Sequence, residues 1–418
     1  MKQHNSVVEI SGIGVVSPIG IGVDYFTLGL KNGMTNFSEI SFEQNEQIFS
    51  YPIAVTNNFE FKKDIEHLSL DADIIAKAKR VRHISKSASY GLYSVLEAWT
   101  DSGLSEADVD PSKIAIVSCG SNTQQTTLVE TQEKYAKKLQ YLNPNYGLNF
   151  FDSDIVGIAS ELLGIQGEGY SLGAASASGN MGIIQGCRLI RSGEYDVVVV
   201  VAPLMDISRY EYQGFTSIGA MCKTKGKEII EDLYRPFDAK HDGFVYGQMS
   251  GCIILESESH LRKRKKKKLA AISGYGVNLD GNRNPNPSQE GEYNAMQKAI
   301  NDAGITPVDI DYINAHGSGS VIGDKTEVEA LRQVGLSGKK VNSTKSLIGH
   351  GLSAAGLIET IATVIQLEEQ FLHISNNLSN PISDDMDWLI KTEETAINYA
   401  INNSFGFGGV NTSIVIKK

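Results

Sequence analysis

The 418-residue chain predicts an α/β fold assembled from two related halves, on three observations. Val197 to Val201 is an unbroken β-branched run, the pattern of a strand buried on both faces. Ser178 to Ile190, just ahead of it, reads as a helix, so helix and buried strand alternate. The second half of the chain then echoes the first. Ile10-Ser11-Gly12-Ile13-Gly14-Val15 recurs as Ile272-Ser273-Gly274-Tyr275-Gly276-Val277, identical at five of six positions. The strand-like Ile114-Ala115-Ile116-Val117-Ser118-Cys119-Gly120 likewise parallels Tyr312-Ile313-Asn314-Ala315-His316-Gly317.

The join between the halves is expected near Glu256 to Leu269, dividing the chain into residues 1–262 and 263–418. It contains Arg262-Lys263-Arg264-Lys265-Lys266-Lys267-Lys268, whose like charges repel and predict a solvated helix end or loop. A hydrophobic content of 41% is enough for a substantial core, and the 41 glycines suit tight turns and close helix packing. No apolar run reaches the length of a membrane span, and the N-terminus lacks the charged-then-apolar pattern of a secretion signal, so a cytoplasmic location is expected. The net charge of −11 argues against nucleic-acid binding. Cys119, Cys187, Cys222 and Cys252 show neither metal-ligand spacing nor disulfide density, so structural thiols and no metal are expected.

The chemistry-bearing segments lie in order along nearly the whole chain. They are Val8-Glu9-Ile10-Ser11-Gly12-Ile13-Gly14-Val15-Val16-Ser17-Pro18, Ala174-Ala175-Ser176-Ala177-Ser178-Gly179, Arg235-Pro236-Phe237-Asp238 and Asp242-Gly243-Phe244-Val245. Asn314-Ala315-His316-Gly317-Ser318-Gly319-Ser320, Ser343-Thr344-Lys345-Ser346-Leu347-Ile348-Gly349-His350 and Asn403-Ser404-Phe405-Gly406-Phe407-Gly408-Gly409-Val410-Asn411 follow. Together they resemble the β-ketoacyl-acyl carrier protein synthases of the thiolase superfamily. In character the chain is nearest the ketosynthase-like decarboxylases of polyketide β-branching cassettes, in which serine replaces the nucleophilic cysteine. The resemblance implies a thiolase-like five-layer α-β-α-β-α fold, in which two mixed sheets sandwich buried helices.

It also implies roles. Ser176 stands where the family carries its cysteine, and a serine hydroxyl is a weak nucleophile unless a base activates it. His316 and His350 are the expected donors to the thioester oxygen, where negative charge develops when a malonyl group loses carbon dioxide. Lys345, five residues before His350, is expected to fix the local charge network, and Glu359, nine residues after His350, to answer it. Asp324 and Glu327 occupy the family's acidic positions, with a supporting role expected. Ser318 and Ser320 sit where threonines bind the phosphopantetheine arm of the carrier, and the ring of Phe407 is expected to line the malonyl site, beside a backbone amide serving the oxyanion. Taken alone, Phe407 reads as core. Gln248 and Ser353 depart from a glutamate and a glycine common at those positions. His4, His83, His241, His260 and His373, outside such motifs, read as structural.

The expected activity is therefore decarboxylation of malonyl-acyl carrier protein to acetyl-acyl carrier protein, with no cofactor beyond the phosphopantetheine arm of a separate acyl carrier protein. Lys62, Lys63, Lys77, Lys79, Arg80 and Arg82 are the expected carrier-docking cations. A homodimer, and coupling to a hydroxymethylglutaryl-CoA-synthase-like enzyme, also follow from the resemblance. Two alternatives stay open: a non-catalytic, chain-length-factor-like partner of an active ketosynthase, and a condensing synthase whose cysteine has become serine. Retention of His316, Lys345 and His350 separates the first alternative from a decarboxylase.

Overall fold

The structure, a computed structural model, describes residues 7–223, 230–283 and 285–418; His4 lies outside them. The first half contributes β1 (Val8–Ser17), β2 (Ile114–Cys119), β3 (Gly169–Leu172), β4 (Val197–Ala202) and β5 (Ser250–Ser257). The second contributes β6 (Ala270–Leu279), β7 (Tyr312–Asn314), β8 (Lys340–Asn342), β9 (Asp387–Trp388), β10 (Tyr399–Gly406) and β11 (Val410–Lys417). They hydrogen-bond in the order β3-β2-β4-β5-β1-β6-β11-β10-β7-β8-β9, with the short strand Gly20–Ile21 paired to β1. From the centre outward, and leaving aside the short edge strand β9, each half places its first, fifth, fourth, second and third strands in turn. Antiparallel and parallel pairings fall at the same steps in both. The two expected sheets are thus joined edge to edge, through an antiparallel contact confined to Val8–Ile10 and Ala270–Ile272.

Helices complete five layers. Helix α1 (Lys86–Ser102) covers the outer face of the first half, while α3 (Gln289–Ala303) and α4 (Val321–Val334) cover that of the second. Between the half-sheets lie α2 (Ser178–Ser192) and α5 (Ala355–Glu369), packed on each other and nearly all buried. Strand β4 shows why its sequence needs no polar residue. Val198 and Val200 point inward to Ile183, Ile184 and Cys187 of α2, whereas Val197, Val199 and Val201 point outward to the cluster holding Leu92 and Val95 of α1.

The internal echo has a packing cause. A β-bulge follows Ile10 in β1 and the matching Ile272 in β6, at the same place in both halves. Beyond it, Gly12 and Gly14 face α1, and Gly274 and Gly276 face α3. A Cβ at Gly14 would stand 2.1 Å from Ser94 O, and one at Gly276 would stand 2.0 Å from Ala295 O. Each pair of glycines lets a helix backbone rest on the strand, so the motif recurs wherever that approach recurs.

At the join, β5 runs into a short helix, Glu258–Lys263, and the division at 262/263 falls inside it. The basic run is the helix end and loop expected, with Arg262, Lys263, Lys265 and Lys267 exposed, but its other three cations are half-buried and partnered. Arg264 donates to the fully buried carboxylate of Glu256 at 2.6 and 2.7 Å, Lys266 donates to Asp101 O at 2.5 Å, and Lys268 lies 3.6 Å from Glu9. Burial opposes charge on Glu256, yet Arg264 and His260 hold its carboxyl below the usual range. Asp101 and Glu9 sit far away in sequence, at the end of α1 and on β1, while Glu256 lies eight residues back on β5, and the run clamps these elements together. All four cysteines are buried and outside disulfides, and burial pushes the thiols of Cys119, Cys187 and Cys252 up. Among the described residues no helix is long and apolar enough to cross a membrane.

Candidate active site

Ser176 occupies the kink between β3 and α2. Ala175 before it takes a φ of 48°, in the left-handed region that a side chain disfavours. The kink is closed by Ser178, whose Oγ accepts from Ala174 N at 2.8 Å and donates to Ala175 O at 2.7 Å. Ser404 Oγ in turn donates to Ser176 O at 2.9 Å, tying the turn to β10. Helix α2 begins two residues on, so Ser176 lies at its positive end.

His350 enters from the opposite side, after the short helix Lys345–Ile348. Its backbone is fixed by His350 N donating to Val245 O at 2.7 Å and Gly247 N donating to His350 O at 3.1 Å. The ring is fixed as well. Leu352 N–H donates to Nδ1 at 3.2 Å, so in the neutral ring the proton resides on Nε2, which lies 3.1 Å from Ser176 Oγ. His316, just past β7, has its Nδ1 3.4 Å from Lys345 Nζ, a group that can only donate. Its proton is therefore on Nε2 too. The two rings stand edge to face with centroids 5.6 Å apart, between Phe244 on the His350 side and Phe405 on the His316 side.

Supporting groups hold this pair. Lys345 is wholly buried, donates to His316 O at 2.5 Å and forms an ion pair with the equally buried Glu359 of α5 at 2.5 Å. Apart from that ion pair, neither oxygen of Glu359 has a hydrogen-bond partner among the described residues. Glu327 accepts from His316 N and Gly317 N at 2.8 Å each and from Asn403 Nδ2 at 3.2 Å; burial pushes its carboxyl up to about 7 against these donors. Asp324 accepts from Phe237 N at 2.7 Å and Gly319 N at 3.0 Å, and pairs with His241 Nδ1 at 2.9 Å. That pairing also accounts for His241. His260 is bonded to Glu256, His373 is fully buried with burial pushing it down to about 4, and His83 is exposed.

A cavity of about 300 Å³ brings Ser176, His316, His350, Ser318, Ser320 and Phe407 together, with Ser353 and Phe244 also in its wall. Ser320 caps α4, accepting from Gly323 N at 3.3 Å, and Ser318 O accepts from Tyr234 OH at 3.1 Å. Phe407 is not core. It is 42% exposed at the tip of the β10–β11 turn, where Gly408 and Gly409 take positive φ. Sequence reasoning missed the Leu352 amide that orients His350 and the flanking Phe405. An amide carries no residue signature, although Leu352's φ of 53° is the backbone trace of its position.

Burial, and after it Lys345, pushes both imidazoles well below their usual range, with His350 adding to the effect on His316. The folded protein therefore holds two neutral rings. In ¹⁵N-histidine NMR, two rings assigned by His316→Ala and His350→Ala should show unprotonated Nδ1 and no titration between pH 8 and 6. Protonation of either near 6.5, the ordinary value, would contradict the assignment. Because an unfolded histidine gains its proton below about 6.5 and these do not, each ring also withdraws stability as pH falls through that value.

The expected docking cations lie on and after two short helices, Phe61–Asp64 and Ala72–Arg80, at half-buried or exposed positions. Lys63, Lys77 and Lys79 are paired with Glu60, Asp73 and Glu66.

Comparison with known proteins agrees with this geometry. Residues 5–260 match the family described as beta-ketoacyl synthase, N-terminal domain, and residues 269–379 match beta-ketoacyl synthase, C-terminal domain. The chain is 40% identical to the polyketide biosynthesis malonyl-ACP decarboxylase PksF of Bacillus subtilis (strain 168), over 98% of this chain and 96% of that one. It is 30% identical to 3-oxoacyl-[acyl-carrier-protein] synthase 2 of Vibrio cholerae, over 98% and 99%. Among solved structures, the ishigamide ketosynthase/chain length factor superposes with a TM-score of 0.85 at 25% identity, covering 99% of both chains. The site's two histidines, its buried lysine and these full-length matches have one meaning: the chain belongs to the β-ketoacyl synthase family.

Proposed function

We propose that this protein is a ketosynthase-like malonyl-acyl carrier protein decarboxylase that forms acetyl-acyl carrier protein and builds no acyl-enzyme. The observation that carries the reading is the direction of the proton between His350 and Ser176. With Nδ1 occupied by the Leu352 amide, Nε2 presents an N–H, not a lone pair, to Ser176 Oγ. A serine needs a base to become nucleophilic, and this neighbour is a donor. The same N–H, with that of His316, suits a thioester oxygen. As the bond to the carboxylate breaks, its electron pair moves toward that oxygen, carbon dioxide leaves, and an enolate forms between two fixed donors. Each such donor is worth roughly 3 kcal/mol in comparable oxyanion sites. A proton from water then completes the methyl group of the acetyl product. Ser176, being neutral, puts no thiolate beside the substrate carboxylate and the enolate.

The name of the relative from Bacillus subtilis, at 40% identity, supports the same substrate and reaction. The test is to incubate malonyl-carrier with the protein and follow conversion to acetyl-carrier; malonyl-carrier that stays intact while an added ketosynthase gains activity would establish a partner subunit instead. In this reading Ser318 and Ser320 meet the phosphopantetheine arm, and the cations from Lys62 to Arg82 meet the acidic carrier. The protein works in the cytoplasm. Its acetyl-carrier feeds a hydroxymethylglutaryl-CoA-synthase-like enzyme in polyketide β-branching, for which genes of that class beside this one are the check.

The protein is also proposed to be a homodimer. Leu139, Tyr141, Leu148 and Phe151 are each more than half exposed within one short stretch, a local apolar surface that suits an isologous contact. Light scattering at micromolar concentration should give the dimer mass, and a monomer mass would refute it.

A further inference from the structure

We propose that Glu292 is the proton relay of the reaction, passing through water in a second cavity beside His316 the proton that turns the enolate into a methyl group. That cavity, of about 80 Å³, shares His316, Ser318, Phe405 and Phe407 with the catalytic cavity. It has room for roughly two waters at ~30 Å³ each. Four carboxyl groups lie in its wall, and three are bonded as acceptors. Asp280 accepts from Asn411 Nδ2 at 2.7 Å, Asp324 from Phe237 N and Gly319 N at 2.7 and 3.0 Å, and Glu327 from His316 N and Gly317 N at 2.8 Å each. Glu292, on the first turn of α3, differs. It is 1% exposed, and its Oε2 is sealed in the interior without a hydrogen-bond partner among the described residues, which leaves Oε1 to the cavity.

A buried carboxylate among three others, with no donor to one of its oxygens, is too costly to stay charged, and the group keeps its proton instead. Burial, and after it Glu327, Asp280 and Asp324, pushes the carboxyl of Glu292 well above its usual range. Glu292 therefore enters the reaction as an acid. Once carbon dioxide has left, the enolate carbon takes a proton from cavity water, Glu292 returns one to that water's oxygen, and the carboxylate is reprotonated from solvent. One proton is consumed for each carbon dioxide released. The role rests on the decarboxylase reading, because only an enolate that does not condense needs a proton at that carbon.

The test is Glu292→Gln, which keeps the size of the side chain and removes the acid. In ¹³C-bicarbonate the parent should convert malonyl-carrier without labelling what remains, because prompt protonation traps the enolate. The variant should turn over about a hundredfold more slowly, the scale of a general acid, and its longer-lived enolate should recapture carbon dioxide and put ¹³C into the residual malonyl-carrier. A slow variant that exchanges no label would make Glu292 a packing residue and overturn the relay, as would turnover at the parental rate. Thermal melting reads the proton without turnover. A carboxyl raised above its unfolded value of about 4.3 stabilises the fold fully below that pH and less as pH rises, so from about pH 5 to 8 the parent should lose melting temperature relative to Glu292→Gln. Parallel curves would show that Glu292 holds no proton and would refute the proposal. If the parent itself leaves malonyl-carrier intact, the decarboxylase reading fails; if the parent decarboxylates and the variant matches it, the relay alone fails.

Discussion

Replacing His350 with alanine should slow conversion of malonyl-carrier by roughly two to three orders of magnitude, and His316→Ala should do the same. The loss is expected in kcat, with KM changed little, because the donors matter most when negative charge has developed on the thioester oxygen. The two variants differ in collateral cost. At 350 the backbone bonds to Val245 and from Gly247 survive the substitution, while the Leu352 amide loses its acceptor and Ser176 Oγ its imidazole partner. At 316 the buried Lys345 loses a ring contact but keeps His316 O and Glu359. Both variants should therefore fold, and circular dichroism with thermal melting would verify it. A loss of only a few-fold in a folded variant would make that histidine a packing residue.

Ser176→Cys should have the opposite character, adding a chemistry that the parent lacks. A thiol ionises near ~8.5 and lower at a helix N-terminus, so it needs a donor to stabilise its thiolate, not a base to create an alkoxide. The Nε2–H of His350, 3.1 Å from the parent hydroxyl, is such a donor. The tautomer that gives Ser176 a donor in place of a base thus favours a reactive cysteine. The variant should become covalently acylated by short acyl-carriers, while its decarboxylation of malonyl-carrier stays within about tenfold of the parent, because the two histidines remain. An efficient, chain-extending synthase with ordinary acyl primers would show that the serine merely blocked a condensing enzyme. No acylation at all would place the residue out of reach of the thioester carbon.

Much of this site is legible in the sequence because its chemistry is carried by side chains inside short glycine-rich motifs. Ser176, His316, Lys345 and His350 can be named before any coordinates, and the repeated Ile-Ser-Gly-x-Gly-Val anticipates the paired bulges and close-packed helices. What stays hidden depends on backbone groups and distant partners. The orientation of His350 is set by an amide, which every residue but proline carries. The basic run reads as solvated because Glu256 lies outside it and Asp101 is remote in sequence, and only the fold brings them to Arg264 and Lys266. Phe407 alone suggests core because its ring is apolar, yet the turn that carries it faces the cavity.

The most direct measurement weighs carrier and enzyme in one sample. Intact-protein mass spectrometry during turnover of malonyl-carrier should show the carrier losing one carbon dioxide while the enzyme keeps its unmodified mass at every time point, with the acylated Ser176→Cys variant as the positive control for a covalent adduct. An acyl group on Ser176 appearing before acetyl-carrier, or malonyl-carrier that persists unchanged, would contradict the account.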